Sequence, residues 1–416
     1  MFEKVLAGTM CVMLVILVFF TSTVSLAAST KIEVGVGGWA VEDMKRAIKE
    51  LKFTEKTGIE VEILTRPGTP SEFISQMTSA IMSGTSPYDV VDIEDETAIT
   101  LSRAGWLEPL DSLFDKTFWQ DWSPDMLKMI ATWYRYKGSL FRIPHNFEAQ
   151  YFWYRKDLFD KKGLTPPKTW DEMVEIGKKF IPDGMWGVED GLAKGGYLGV
   201  YIGYLTQQAG GNPFNFDNPL RIALQFIHDM MYKDKIFPVA ALNKDYDALN
   251  QDYMNDKVAM MRQWPYFYDV SRGKPEWFKE DKTAIALPPA GPARRVSYAA
   301  AWGWVIPKTA PNKEAAKEFV KFIASTENAP KLAKISVWFL NTRHSVLNAV
   351  GDTGFARYLR MYSKAGVIGT RPFHPKFYEA TTIVEDLASA YLTNQISLDE
   401  VMKQGKEKMK SLTFGK

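Results

Sequence analysis

Residues 92 to 96 read Asp92-Ile93-Glu94-Asp95-Glu96, four carboxylates in five positions. Such a cluster can accept hydrogen bonds from several hydroxyls of one ligand. Carboxylates taken in pairs, Glu94 with Glu148 for example, can also serve as general acid and base. The plainer role for the cluster is a solvated acidic loop or a helix N-terminus, where the helix dipole favours negative charge. Trp39 follows the first predicted strand and offers a flat apolar ring. The chain holds 13 Trp, 18 Tyr and 25 Phe, a density that suits either a large core or a ring-stacking site.

Other chemical motifs are few. Gly35-Val36-Gly37-Gly38-Trp39-Ala40 fits G-x-G-x-x-A, the phosphate-cradling turn between a strand and a helix. Three features oppose that role. The second strand ends Leu64-Thr65-Arg66 without the acid that would hold a ribose, Trp39 is bulky where a backbone must approach pyrophosphate, and the N-terminus directs the chain to export. The glycines read better as a flexible turn that starts a helix close behind a strand. G-x-S-x-G, H-E-x-x-H and G-x-x-x-x-G-K-[ST] are all missing. His145, His228, His344 and His374 lie far apart with no ligand spacing, so neither a metal nor another cofactor is expected.

The elements that must position these residues follow from periodicity. Lys31 to Val36 and Ile59 to Leu64 alternate apolar and polar residues and predict strands; Tyr88 to Ile93 is a third. Helices are predicted over 41–57 and 71–83. Strand, helix, strand, helix, strand predicts an α/β fold with a mostly parallel sheet covered on both faces. Further on, Thr169-Trp170-Asp171-Glu172 and Ser397-Leu398-Asp399-Glu400 are capping boxes, and Asn312 is expected to cap a helix over 313–325. Val258 to Met261, Ala284 to Leu287 and Trp304 to Pro307 predict short strands. Tyr197, Tyr201 and Tyr204 form a helical stripe that reads as core, as does Trp304.

At 416 residues the chain exceeds what one core usually holds, so two domains are expected. Lysine plus arginine number 51 and aspartate plus glutamate 49, which gives no electrostatic reason to expect nucleic acid. Met10 to Phe20 is an unbroken apolar run, followed by small residues at Ser25 and Ala27. This is the pattern of a signal peptide over 1–27, too short for an ordinary membrane span, and an extracytoplasmic location follows. The single cysteine, Cys11, lies in that run without a lipobox, so disulfides and thiol chemistry are not expected in the mature chain.

One resemblance covers most of the chain. Gly138-Ser139-Leu140-Phe141-Arg142-Ile143-Pro144 resembles the G-K-L-Y-G-I-P run of the family 1 extracellular solute-binding proteins of ABC importers. Trp153-Tyr154-Arg155-Lys156-Asp157-Leu158-Phe159 is similar to their Y-N-K-D-L-F, and residues 163–172 to their G-L-x-P-P-K-T-W-D-E. Lys257 to Met261, Trp302 to Lys308, Asn312 to Phe319 and Asn341 to Val346 agree with family segments and arrive in the same order. The resemblance implies a two-lobed fold that closes by hinge motion on a ligand. It places lobe I at 28–143 and 289–341, lobe II at 144–288 and 342–416, and hinges near 143–148, 284–290 and 340–345.

The resemblance also implies a ligand and partners: a carbohydrate or polyol, held by a monomer and delivered to the transmembrane permease subunits of an ABC importer, with no enzymatic step. Its expected ligand contacts are Trp39, Asp92, Glu94, Asp95, Glu148, Trp264, Tyr266, Trp302 and Arg343. Within the maltose-binding branch, Glu148 aligns with a glutamate that touches the sugar, Tyr266 with a stacking ring, and Ile93 with a position where that branch has a stacking Trp. The same fold would serve an exported carbohydrate-active enzyme, a sensor for a membrane receptor, or capture of a glycerol-phosphate-like compound.

Overall fold

The computed structural model describes residues 30–272 and 282–413. The predicted signal peptide and Cys11 lie outside the described residues. In the first lobe, Ile32, Val34 and Val36 of β1 (Lys31–Val36) are fully buried, as their alternation predicts. β1 pairs in parallel with β2 (Glu60–Thr65) on one side and β3 (Val90–Glu94) on the other. The helix expected over 41–57 is broken in two. It runs Val41–Leu51, then Lys52 takes a left-handed backbone (φ 55°) and Phe53–Thr57 continues in a new direction.

β4 (Arg135–Tyr136) and β5 (Ser139–Leu140) form a hairpin. β6 (Ile143–Pro144) then enters the first sheet, and β7 (Glu148–Ala149) joins a small hinge sheet. The second lobe holds β8 (Tyr151–Tyr154), β9 (Trp186–Glu189), β10 (Val258–Gln263) and β11 (Ala284–Ala286), in spatial order β11-β8-β10-β9. β12 (Ser297–Ala300) returns to the hinge sheet, β13 (Trp302–Val305) joins the first sheet between β3 and β6, and β14 (Ile368–Gly369) completes the hinge sheet beside β12.

Both main sheets are mixed rather than mostly parallel. β13 runs antiparallel to β3 and β6, and β8 runs antiparallel to β10 and β11. The strand expected at Trp304 begins earlier, at Trp302, and ends at Val305. Asn312 precedes the helix Lys313–Ala324 without capping it through its side chain, which instead reaches the Lys31 carbonyl and Asp89. The two boxes at Thr169 and Ser397 do accept from the Glu172 and Glu400 amides.

The chain passes between lobes at three places. The first passage is residues 145–147, between β6 and β7. The second does not fall at 284–290. The Gln208 side chain donates to the Pro289 and Val296 carbonyls and the Ala290 amide donates to Lys168, so residues 289–296 stay on the second lobe. The passage occurs at Ala301, between β12 and β13. Pro288 and Pro289 follow the edge strand β11, a position where a missing N–H costs no ladder bond. The third passage also comes later than 340–345: the helix His344–Val350 still packs on the helix Ala329–Ile335 of the first lobe. Phe355 is the residue that reaches the β8 rings Tyr151 and Trp153.

Candidate functional site

Trp39 sits in a short turn, Gly38–Ala40, directly after β1. A Cβ at Gly37 would lie 2.6 Å from the Trp39 ring nitrogen, and one at Gly35 would lie 2.7 Å from the Tyr88 ring. The glycines thus make room for aromatic rings. Trp39 remains 58% exposed, and it meets Trp302 edge to face with centroids 5.3 Å apart and Trp338 at 5.4 Å. The Arg66 guanidinium lies 5.1 Å from the Trp302 ring centre, and its Nη2 is 3.6 Å from Oε2 of Glu94. Glu94 also accepts from the Thr97 hydroxyl at 3.1 Å.

The segment that connects β6 to β7 leads to the acid beside this wall. Asn146 receives the Trp302 amide on Oδ1 at 2.6 Å and donates from Nδ2 to Oε1 of Glu148 at 2.8 Å. Burial pushes the Glu148 carboxyl up to about 7, helped by the charges of Asp92 and Asp95 and opposed by hydrogen bonds from Asn146 and Trp302. Trp39, Glu94, Glu148 and Trp302 therefore form one surface. Asn146 and Arg66, which tie that surface together, were not singled out as ligand contacts from the sequence.

Three expected contacts are committed elsewhere. Asp92 lies two residues deeper along β3 than Glu94 on the same face, fully buried, and accepts from Nε2 of His145 at 2.6 Å. Asp95, also fully buried, pairs with Arg142 and accepts the Ala301 amide at 3.0 Å. Both carboxylates hold the passages between lobes in place. Arg343 is 1% exposed and has all three nitrogens engaged. Its Nε donates to Asp121 at 2.7 Å, Nη1 to the Ala324 carbonyl at 2.5 Å and Nη2 to Thr326 at 2.9 Å. Its guanidinium also lies 4.8 Å from the Phe118 ring centre, so it serves the first lobe's core.

On the second lobe, Trp264 follows β10 and meets Tyr298 edge to face at 6.4 Å. Tyr266 donates its hydroxyl to Asp247 at 3.0 Å and accepts from Asn250 at 2.9 Å. Burial and the Asp247 charge hold its phenol far above the usual range. Both rings are partly buried, so each keeps an accessible edge. Tyr201 and Tyr204 are core as expected, and so is Trp304, whereas Tyr197 of the same stripe is only partly buried and meets Tyr246 edge to face at 4.7 Å.

Polar and aromatic contacts also join the lobes away from the passages, and local sequence carries no sign of them. Glu96, at the start of the helix Asp95–Arg103, pairs with Arg371 of the second lobe. The hydroxyls of Thr97 and Tyr378 lie 2.5 Å apart, Tyr378 being on the helix Phe377–Leu392. Trp133 of the first lobe adds edge-to-face packing on Phe373 and Phe377 at 5.1 and 5.7 Å.

The family model described as bacterial extracellular solute-binding protein matches residues 38–330. The diacetylchitobiose-binding protein of Streptomyces coelicolor is 22% identical over 379 residues, covering 85% of this chain and 78% of that protein. The mannitol-binding protein of Pseudomonas aeruginosa is 24% identical over 367 residues, covering 79% and 80%. The structure of maltose-bound T. maritima MalE3 superposes with a TM-score of 0.80 at 25% identity, covering 92% of this chain and all of that one.

Proposed function

Because this chain belongs to the bacterial extracellular solute-binding protein family, we propose that it captures a sugar or polyol between its lobes and delivers it to the permease of an ABC importer. The observation that carries this reading is the paired aromatic wall of Trp39 and Trp302 with Glu94 and Glu148 beside it. Apolar C–H faces of a ring or carbon chain pack on the indoles, and hydroxyl edges meet the carboxylates. Relatives named for diacetylchitobiose and mannitol support the polyhydroxy class. The lobes correspond to the two main sheets, with the passages at 145–147, Ala301 and 351–355 acting as hinges. The protein works as a monomer outside the cytoplasm, has no nucleic-acid partner, and returns its ligand chemically unchanged.

The test is a thermal-shift and calorimetry panel of mono- and oligosaccharides and linear polyols. A dissociation constant of micromolar or tighter, on the order of 8 kcal/mol, is expected for at least one. A panel without a hit at millimolar concentration overturns the reading. Product formed from a bound oligosaccharide would replace it with an enzymatic one.

A further inference from the structure

Two rows of side chains converge between the lobes. The first-lobe row follows the rim of the sheet: Trp39 after β1, Glu94 at the end of β3, and Trp302, which opposes Glu94 across the β3–β13 ladder. Beyond Glu94 the chain turns directly into the helix Asp95–Arg103. The second-lobe row runs from Trp264 to Tyr298, at 6.4 Å, and on to Arg371, whose guanidinium lies 5.8 Å from the Tyr298 ring centre. Where the rows meet they are bonded to each other. Arg371 pairs with Glu96, and the Tyr378 hydroxyl lies 2.5 Å from that of Thr97. Thr97 donates its only hydroxyl proton to Oε1 of Glu94 at 3.1 Å, so Tyr378 is the donor to Thr97. One hydroxyl therefore separates Glu94 from the opposite lobe. Burial and the Glu94 charge hold the Tyr378 phenol well above its usual range.

The two sides of Glu94 and Trp302 differ. Ala98 and Leu101 of the helix Asp95–Arg103 cluster with Ile93 and Val305 on one face of the first sheet. Trp39 meets Trp338, which packs on Trp304 at 6.1 Å. Side chains alternate between faces along β13, so Val305 and Trp304 mark opposite sides of the sheet. The bonded end of the cleft thus lies on the helix side, backed by the packing of Trp133 on Phe373 and Phe377. The half-exposed Trp39 indole lies on the other side, toward solvent.

Resting on the proposed capture of a polyhydroxy ligand, we infer that the cleft is blind at the Thr97–Tyr378 end and takes its ligand terminus first. A linear polyol or sugar chain enters by one end, whereas a cyclic oligosaccharide or the internal stretch of a chain is rejected. A terminal hydroxyl reaches Glu94 and stops against Tyr378. A further unit at that terminus has to displace bonds that cross the lobes, which is selection by exclusion rather than by added attraction. At the other terminus, units continue past Trp39 into solvent. Thr97 and Tyr378 are 281 positions apart, so no local segment marks this end wall.

The experiment is calorimetry on the full mature chain with D-mannitol, maltose, diacetylchitobiose and α-cyclodextrin. Whichever linear compound binds is then compared with its methyl ethers, capped at one terminus, at the other, and at both. For a ligand with unlike ends, one cap should cost roughly tenfold or more in affinity and the opposite cap less than about threefold. For mannitol, whose ends are equivalent, one cap should cost less than about threefold and two caps roughly tenfold or more. Tyr378→Ala, with its fold checked by circular dichroism, should shrink the capping penalty to about threefold or less. That ratio is independent of lobe closure, because the closure equilibrium weighs on capped and uncapped ligand alike. Equal affinity for the uncapped and the doubly capped ligand overturns the blind end, whether or not the variant folds. So does micromolar binding of α-cyclodextrin, or a folded Tyr378→Ala that keeps the full penalty. Failure of every neutral ligand to bind the wild type instead overturns the function on which the blind end rests.

Discussion

The imidazole of His145 donates from Nε2 to Oδ1 of Asp92 at 2.6 Å, and both side chains are buried. His145 lies on the first passage between lobes. Its ring packs on Trp304 at 4.8 Å, beside the second passage, and on Trp338 at 4.7 Å, in the first-lobe turn Val337–Phe339. Its carbonyl accepts from Asn341. One side chain thus ties the first passage to β3, to β13 and to the first-lobe segment 338–341. Asp92→Ala leaves that buried ring without its partner and should cost about 2–4 kcal/mol, read from urea melts. A loss below about 0.5 kcal/mol would remove the pair from the hinge.

Trp39 is mostly exposed, so Trp39→Ala should change stability by no more than about 1 kcal/mol. Ligand affinity should fall at least tenfold, because the edge-to-face partner of Trp302 is lost from the wall. Fluorescence titration reads both the affinity and the missing indole signal. An unchanged affinity would take Trp39 out of the site.

Arg343→Ala should behave in the opposite way. It leaves Asp121 without its partner and strips a guanidinium from a packed aromatic pocket, at about 3–5 kcal/mol. Ligand affinity measured on the fraction that stays folded should match the wild type. A selective loss of affinity at full stability would restore Arg343 as a ligand contact.

Glu148 sets a pH dependence with a definite sign. Its folded pKa of about 7 stands above the 4.5 of the unfolded chain, so between those values the native state holds more protons. The Glu148 contribution to stability therefore falls as pH rises through that window. Ligand hydroxyls that donate to Glu148 favour the carboxylate, so binding below pH 7 should release a fraction of a proton and strengthen as pH rises toward 8. Calorimetry in buffers of different ionisation enthalpy measures that fraction. No buffer dependence in the wild type, or the same dependence in Glu148→Gln, would exclude this role.

The pairs Glu96–Arg371 and Thr97–Tyr378 bridge the lobes directly. The double variant Arg371→Ala, Tyr378→Phe should open the unliganded protein, with a larger radius of gyration in small-angle scattering. Apparent affinity should fall by roughly fivefold or more, because less of the protein is in the competent closed state. An unchanged radius and affinity would show that these contacts do not bias closure.

Local chemistry reached far into this fold. β1 and β2 follow from alternation, because side chains on a strand point to opposite faces at every step. Thr169 and Ser397 start helices because their hydroxyls sit three residues before an amide that needs an acceptor. Trp39 and Trp302 could be nominated from their places beside strands in recognisable family segments.

Partners distant in sequence decided the rest. Asp92 and Glu94 are equivalent acids in one short run, yet one faces His145, 53 positions away, and the other faces Arg66 and Trp302. Arg343 turned inward because Asp121, 222 positions before it, waits beside Phe118 and Trp122. Asp190 with Arg262 and Glu96 with Arg371 are likewise products of strand order and lobe packing. Sequence alone determined which elements form and which residue types stand at their ends, since torsional preference and capping act over a few residues. Only the tertiary structure decided whether a given charge meets a ligand or a buried partner, since burial and pairing depend on chain segments that folding brings together.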